Sequence, residues 1–477
     1  MSDAASEVPG GARRPVPGVG WIGGTGANWG GKAIMVFILA LLMAVPLLFV
    51  IALVNDRAHR AHQVVDDVSS LQGGQQAVLG PQLVAPYAAP DDKGVMRAAG
   101  WYVVSPEHGR AVAQVETSTL HRGIFDVPVY RAVVDLKADF GPLPTTLDLP
   151  PGAVVDWSKA QVVLGFSDLR GAQADVSAIF TEGDHATALA FAPSPGVRLG
   201  NGSSDDGSMP ATGAFGLVGA PGAALVATRG GTLTSHLEFT GAQRLSILPF
   251  AKSTTAAVAG NWPAPSFDGG FLPGVRNVSD QSFTAQWTVP FMARGLAAHG
   301  TADNISLGQL GNKALGVSFI PANNPYDNVN RALKYAVMFV GLVFLSFFVF
   351  EALSGQRLHP AQYLMIGLAQ MVFYLLLLSL AEYVGFDWGF LAAGGATVLL
   401  IGIYAGAVFK SRAYGARALV VFTLVYALSY LLMRLEDFAL LAGSLASFIG
   451  LAAAMYLTRN IDWYGKRPPA PAAPPAA

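Results

Sequence analysis

Apolar residues gather in one run at 33–54, give way to a long mixed segment, and return as a packed series at 332–457. Crossing roughly 30 Å of hydrocarbon takes about 20 helical residues, so stretches of this length can each span a bilayer. The pattern predicts spans at 33–54, 334–353, 363–381, 388–409, 418–433 and 438–457, the fifth being the shortest. Between the first two, the periodicity changes. Val134, Leu136, Ala138 and Phe140 alternate with Asp135, Lys137 and Asp139, the period-two signature of a strand with one buried face. Residues 233–239 and 283–289 alternate in the same way, and Gly/Pro/Asn/Asp clusters at 142–151, 193–210 and 263–273 break the segments between them. This spacing predicts antiparallel sheets in a sandwich. Residues 56–71 read as a helical continuation of the first span with Val64, Val65, Val68 and Leu71 on one side, and 200–213 as a mobile surface loop.

Orientation follows from Lys and Arg in short flanking loops. With an even number of spans both termini share a side, and on it lie Arg13, Arg14, Lys32, Arg357, Lys410, Arg412, Arg417, Arg459, Lys466 and Arg467. The opposite short loops carry Glu382, Asp387, Arg434, Glu436 and Asp437 and are acidic on balance. Both termini are therefore expected in the cytoplasm and the β-rich segment outside it. The first run is longer than the apolar core of a cleaved signal peptide and follows a polar tail, which predicts an uncleaved signal anchor. The expected fold class is membrane α+β: an N-terminal signal-anchor helix, a large, mostly antiparallel β domain on the exported side, and a C-terminal bundle of five transmembrane helices. The corresponding boundaries are 1–32 (cytoplasmic disordered tail), 33–54 (first transmembrane helix), 55–331 (β-rich domain), 332–457 (bundle) and 458–477 (cytoplasmic Pro/Ala-rich tail).

Composition narrows the chemistry. A net charge of −1 with 13% charged residues leaves no basic surface for nucleic acid. The absence of cysteine excludes disulfides, zinc–thiolate sites, iron–sulfur clusters and thiol catalysis. Gly18, Gly20 and Gly23 match G-x-G-x-x-G, but a membrane span rather than a strand–helix unit surrounds them, so no dinucleotide is expected. His59, His62 and Asp66 share a helical face that reads as a solvated juxtamembrane surface rather than a metal site. No metalloprotease, hydrolase-elbow or phosphate-loop motif occurs, and the chain is expected to be neither an enzyme nor dependent on a cofactor. Ion-coupled carriers place ionisable groups near the bilayer midplane, and none falls mid-span here. Glu351 and Lys334 fall at the ends of the second span, where they are expected to reach headgroups. Gln370, Tyr374 and Ser379 supply the polar content of the third, where hydrogen bonds to neighbouring helices are expected.

The run Phe348-Val349-Phe350-Glu351-Ala352-Leu353-Ser354-Gly355-Gln356-Arg357-Leu358-His359-Pro360-Ala361-Gln362-Tyr363-Leu364 resembles the signature of the CreD family of bacterial inner-membrane proteins. Gly80-Pro81 with Pro86-Tyr87, Asn261-Trp262-Pro263-Ala264-Pro265-Ser266-Phe267 with Phe271-Leu272-Pro273, and Leu457-Thr458-Arg459-Asn460-Ile461-Asp462-Trp463-Tyr464 are similar to that family in order and spacing, with Ala264 standing where His is expected. The resemblance implies a Gram-negative, multi-pass inner-membrane protein of cell-envelope integrity, with a periplasmic β domain and expression in an envelope-stress response under a two-component system. It implies no catalytic residue. Arg357, His359 and Pro360 are expected to form a short turn with Pro360 opening the third span, and Arg459 and Asp462 to pair where the last helix ends. Trp262 and Phe267 are the candidate partner contacts, in a proline-stiffened loop. Expected partners are membrane lipids and an envelope protein or glycan. Two functions follow: a scaffold that binds an envelope component through its β domain, or a transporter or lipid-handling protein for a neutral or amphipathic molecule. A polar-lined cavity through the bundle would favour the second.

Overall fold

The computed structural model describes residues 29–194, 196–197, 199, 215–226, 230–319, 325–434 and 438–459. The loop expected at 200–213 and most of both tails lie outside the described residues. The chain divides into two compact units, Met1–Asn55 with Pro325–Ala477, and Asp56–Asn324.

Among the described residues, six helices are long and apolar enough to cross a bilayer: Trp29–Leu71, Ala336–Ser354, Pro360–Val384, Phe386–Val408, Arg412–Arg434 and Leu440–Thr458. The first is interrupted at Met43, between segments Trp29–Leu42 and Ala44–Leu71. Pro46 explains the break, since it has no N–H to offer the Leu42 carbonyl. Aromatic rings fill the bundle: Phe347 stacks on Phe409 and Phe422, with centroids 6.3 and 5.5 Å away, and Phe373 meets Tyr426 edge-on at 4.8 Å. Helices Phe386–Val408 and Arg412–Arg434 approach backbone to backbone, because a Cβ on Gly415 would stand 3.1 Å from the Gly406 Cα.

A helix absent from the sequence expectation, Pro325–Lys334, precedes the second span. Tyr326, Val329, Ala332 and Leu333 are buried along it, and it packs on the bundle helices. Its apolar face packs it into the unit of Met1–Asn55 and Pro325–Ala477.

Among the described residues, the β unit is a sandwich of a 10-stranded and an 8-stranded sheet. The strand expectations at 134–140, 233–239 and 283–289 fall inside strands Phe125–Phe140, Gly231–Ala242 and Phe283–Val289, which lie in the same sheet. Pairing is antiparallel throughout that sheet except between Ser253–Gly260 and His108–Arg122. The other sheet is built on Gln76–Pro90, which pairs parallel with Arg244–Ile247 and antiparallel with Met96–Val104 and Gln161–Phe166. One correction concerns 263–273: inside this expected break, Ser266–Gly269 forms a short strand against Leu315–Ser318.

The two sheets meet across one apolar core, with Phe166 of one and Phe239 of the other 5.6 Å apart. Phe250, fully buried, occupies space that only glycine leaves open. A Cβ on Gly80 would lie 2.5 Å from its ring and one on Gly109 2.7 Å. The helical continuation of the first span reaches Leu71, as expected. Its Val64, Val65 and Val68 pack on Val127, Val129 and Ala242, whereas Leu71 stays exposed.

Candidate functional site

In the membrane unit the densest polar arrangement centres on Glu351. The helix Ala336–Ser354 ends on Gly355, in the left-handed region at φ 67°, and the chain turns through Arg357 and His359 before Pro360 starts the next helix. His359 caps that helix. Its Nδ1 accepts from the Ala361 N–H at 3.2 Å, and the Gln362 side chain accepts from the His359 N–H at 2.8 Å. Pro360 sits in the first helical position, where its missing N–H is no loss. Arg357 is exposed on this turn.

Glu351 does not reach a headgroup, contrary to expectation: it is fully buried. A buried carboxylate is stable only when paired and hydrogen-bonded. Here its Oε1 accepts from Lys32 Nζ and, at 2.9 Å, from the Leu358 N–H, while its Oε2 accepts from the Tyr363 hydroxyl at 2.8 Å. Lys32 also donates to the Leu358 carbonyl at 3.0 Å. One carboxylate thus ties the first span, the second, the turn and the third together. With its oxygens taken by protein donors it is built for fastening. Sequence inspection missed this because Lys32 and Glu351 are 319 residues apart, and Lys32 read only as part of the positive flank.

Further bonds join helix ends elsewhere in the bundle. Tyr326 donates to Glu382 at 2.9 Å, and Tyr430 donates to Asp387 at 3.0 Å, with Arg434 also on Asp387. Within the bundle, Gln370 is buried, and its Oε1 has no hydrogen-bond partner among the described residues. The hydrogen bond to a neighbouring helix expected of this residue is not made by that oxygen. The cavity that Gln370 lines with Phe339, Phe373, Tyr374, Val425, Tyr426 and Ser429 holds about 10 Å³, the space of about one water.

In the β unit, the loop carrying Trp262 and Phe267 is held at successive points. Asn261 Oδ1 accepts from the Thr117 N–H at 2.6 Å and its Nδ2 donates to the Thr117 carbonyl at 3.2 Å. Trp262 is half-buried, edge-on to Phe319 at 6.2 Å, and Phe267 is half-buried against Phe283 and Trp287. Asp268 accepts from Arg244 at 2.7 Å and from the Ser318 hydroxyl at 2.5 Å. Trp287 Nε1 donates to the Phe271 carbonyl at 3.0 Å. The exposed apolar groups lie just beyond: Leu272 is 70% exposed, and Val275 and Val278 project from Val275–Val278, the outermost strand of its sheet. Sequence inspection missed these residues, because a four-residue edge strand has too few positions for alternation to register.

Arg294 is a second buried charge. Fully buried, it donates to the Pro249 carbonyl at 3.1 Å, the Ala297 carbonyl at 3.2 Å and the Ser105 hydroxyl at 3.1 Å, and Ser105 in turn donates to Gln82. No carboxylate pairs with it among the described residues. Burial pushes its pKa down to about 10, still far above neutral, so the guanidinium remains charged.

The structure thus gathers His359 and Pro360 at the Glu351 fastening and sets Trp262 and Phe267 on one loop of the β unit. Arg459 lies over the Tyr456 ring at 4.1 Å, and Asp462 lies outside the described residues.

A family model described as "Inner membrane protein CreD" matches residues 28–464. Inner membrane protein CreD of Escherichia coli (strain K12) is 29% identical over 445 residues, 91% of this chain and 93% of that protein.

Proposed function

Since the chain belongs to the CreD family of multi-pass inner-membrane proteins, we propose that it maintains cell-envelope integrity as a non-enzymatic scaffold whose periplasmic β domain binds another envelope component. The observation that carries this reading is the tight packing around Gln370 in the bundle. Aromatic packing leaves about 10 Å³ around Gln370, against the several hundred cubic ångströms of a small-molecule site. A conduit for an amphipathic molecule needs more room, whereas a tied and packed bundle suits an anchor.

Binding then falls to the β domain. The outermost strand Val275–Val278 has one backbone edge unpaired among the described residues, and Leu272, Val275 and Val278 stand exposed along it. Such an edge takes up an extended segment by strand addition, with side-chain positions giving specificity. Trp262 and Phe267 serve this surface from beneath, by holding the loop.

Site-specific photo-crosslinking in intact cells tests this. A photoreactive residue at Leu272 or Val275 is expected to yield an adduct with an envelope protein under envelope stress, and the same residue at Asp184, in a turn of the β unit, none. Adducts of equal yield from all three positions, or none from Leu272 and Val275, contradict the proposal.

A further inference from the structure

Beside the first span, the membrane unit contains a larger and more polar space than the cavity at Gln370. In helix Pro325–Lys334, residues Asp327, Asn330, Arg331 and Lys334 recur at i, i+3, i+4 and i+7 and share one face. The opposite face, with Tyr326, Val329 and Ala332, is buried. The polar face borders a cleft of about 610 Å³, whose other wall is Ile51 and Asn55 of the first helix, one turn apart. Leu333 completes the lining.

Depth and charge order identify an occupant. Asn55 is the first polar residue after the apolar run 33–54, and Lys334 stands just before the apolar helix Ala336–Ser354. The cleft therefore lies where lipid headgroups meet acyl chains, with Ile51 and Leu333 as its apolar lining. Along the helix, Lys334 and Arg331 come nearest the apolar run and Asp327 furthest from it. A phospholipid headgroup with a terminal amine carries its charges in the complementary order: phosphate next to the glycerol, ammonium outward.

We propose that this cleft binds a phospholipid of the phosphoethanolamine class. Arg331 and Lys334 take the phosphate through charge-assisted hydrogen bonds, Asn55 and Asn330 offer amide donors to phosphate or ester oxygens, and the Asp327 carboxylate accepts from the primary ammonium. A quaternary choline has no N–H for Asp327, so the site discriminates between two zwitterionic lipids of the same net charge. This inference is independent of which envelope component the β domain binds.

Native mass spectrometry of the purified full chain tests it, with titration by phosphatidylethanolamine, phosphatidylcholine, phosphatidylglycerol and water-soluble glycerophosphoethanolamine. Phosphatidylethanolamine is expected to bind about tenfold more tightly than the other two lipids. Lys334→Gln, at an exposed position, should weaken it by a similar factor, with thermal unfolding unchanged. Asp327→Asn should keep phosphatidylethanolamine bound but erase its advantage over phosphatidylcholine, and this second variant decides the matter should Lys334→Gln unfold. Equal binding of ethanolamine and choline lipids by the unaltered chain, preference for phosphatidylglycerol, or retention of the preference in Asp327→Asn would each overturn the proposal. So would binding of glycerophosphoethanolamine as tight as that of the lipid, which would assign the cleft to a soluble ligand.

Discussion

Glu351 and Arg294 are the two charges whose burial most constrains single-residue change. Removing one partner of a buried ion pair leaves the other uncompensated, which costs about 3–5 kcal/mol, whereas replacing both by apolar groups of similar volume is far milder. Glu351→Ala should therefore lower the thermal unfolding temperature of the detergent-solubilised protein more than the double variant Lys32→Met with Glu351→Leu. The reverse order would show that the pair is not a unit. Arg294→Met removes a charged donor from two carbonyls and a hydroxyl and should destabilise the β unit by about 3 kcal/mol in denaturant unfolding. Because burial depresses the Arg294 pKa, the unfolded chain binds the extra proton above about pH 10. Its contribution to stability therefore rises as the pH climbs above about 10. Trp262 and Phe267, half-buried and edge-on to core rings, should each cost about 2–3 kcal/mol on replacement by Ala. A smaller loss would place them on the contact surface itself.

At the level of elements, periodicity made some structures legible and hid others. The alternating strands at 134–140, 233–239 and 283–289 could be read because one face of each is polar. Strand Gln76–Pro90 could not, because it is buried on both faces over most of its length and so shows no apolar–polar alternation. Helix Pro325–Lys334 was hidden by its high polar content, since only the buried bundle explains its apolar stripe. The bundle glycines differ in their surroundings: Gly402 and Gly406 lie at a crossing, whereas a Cβ on Gly341 or Gly395 would meet nothing within 4 Å. The fastening around Glu351 was legible as a motif but not as a site, because its lysine is supplied by the first span. The Gly80-Pro81 motif gains a physical account in the same way, as the close passage of a strand over Phe250. Gly80→Leu should overpack this contact and destabilise the β unit by about 3 kcal/mol, detectable as a lower denaturant midpoint, while Gly74→Leu, where a Cβ meets nothing, should respond only to its positive φ.

For the whole molecule, an anchor bearing a binding domain differs from a transporter in which unit carries function. Orientation is testable because the chain has no cysteine to label in the background. A cysteine at Lys93, in the β unit, should react with an impermeant thiol reagent once the outer membrane is permeabilised, and one at Gln356 should not. The opposite pattern would invert the topology. The most direct test of the scaffold compares two full-length variants in cells lacking the unaltered protein: Leu272→Asp with Val275→Asp on the exposed edge of the β unit, and Gln370→Leu inside the bundle. With insertion and folding verified for both, the measurement is survival under envelope stress. The scaffold predicts that the edge variant fails to protect and that Gln370→Leu protects as well as the unaltered chain. Protection lost with Gln370→Leu and kept in the edge variant would contradict it.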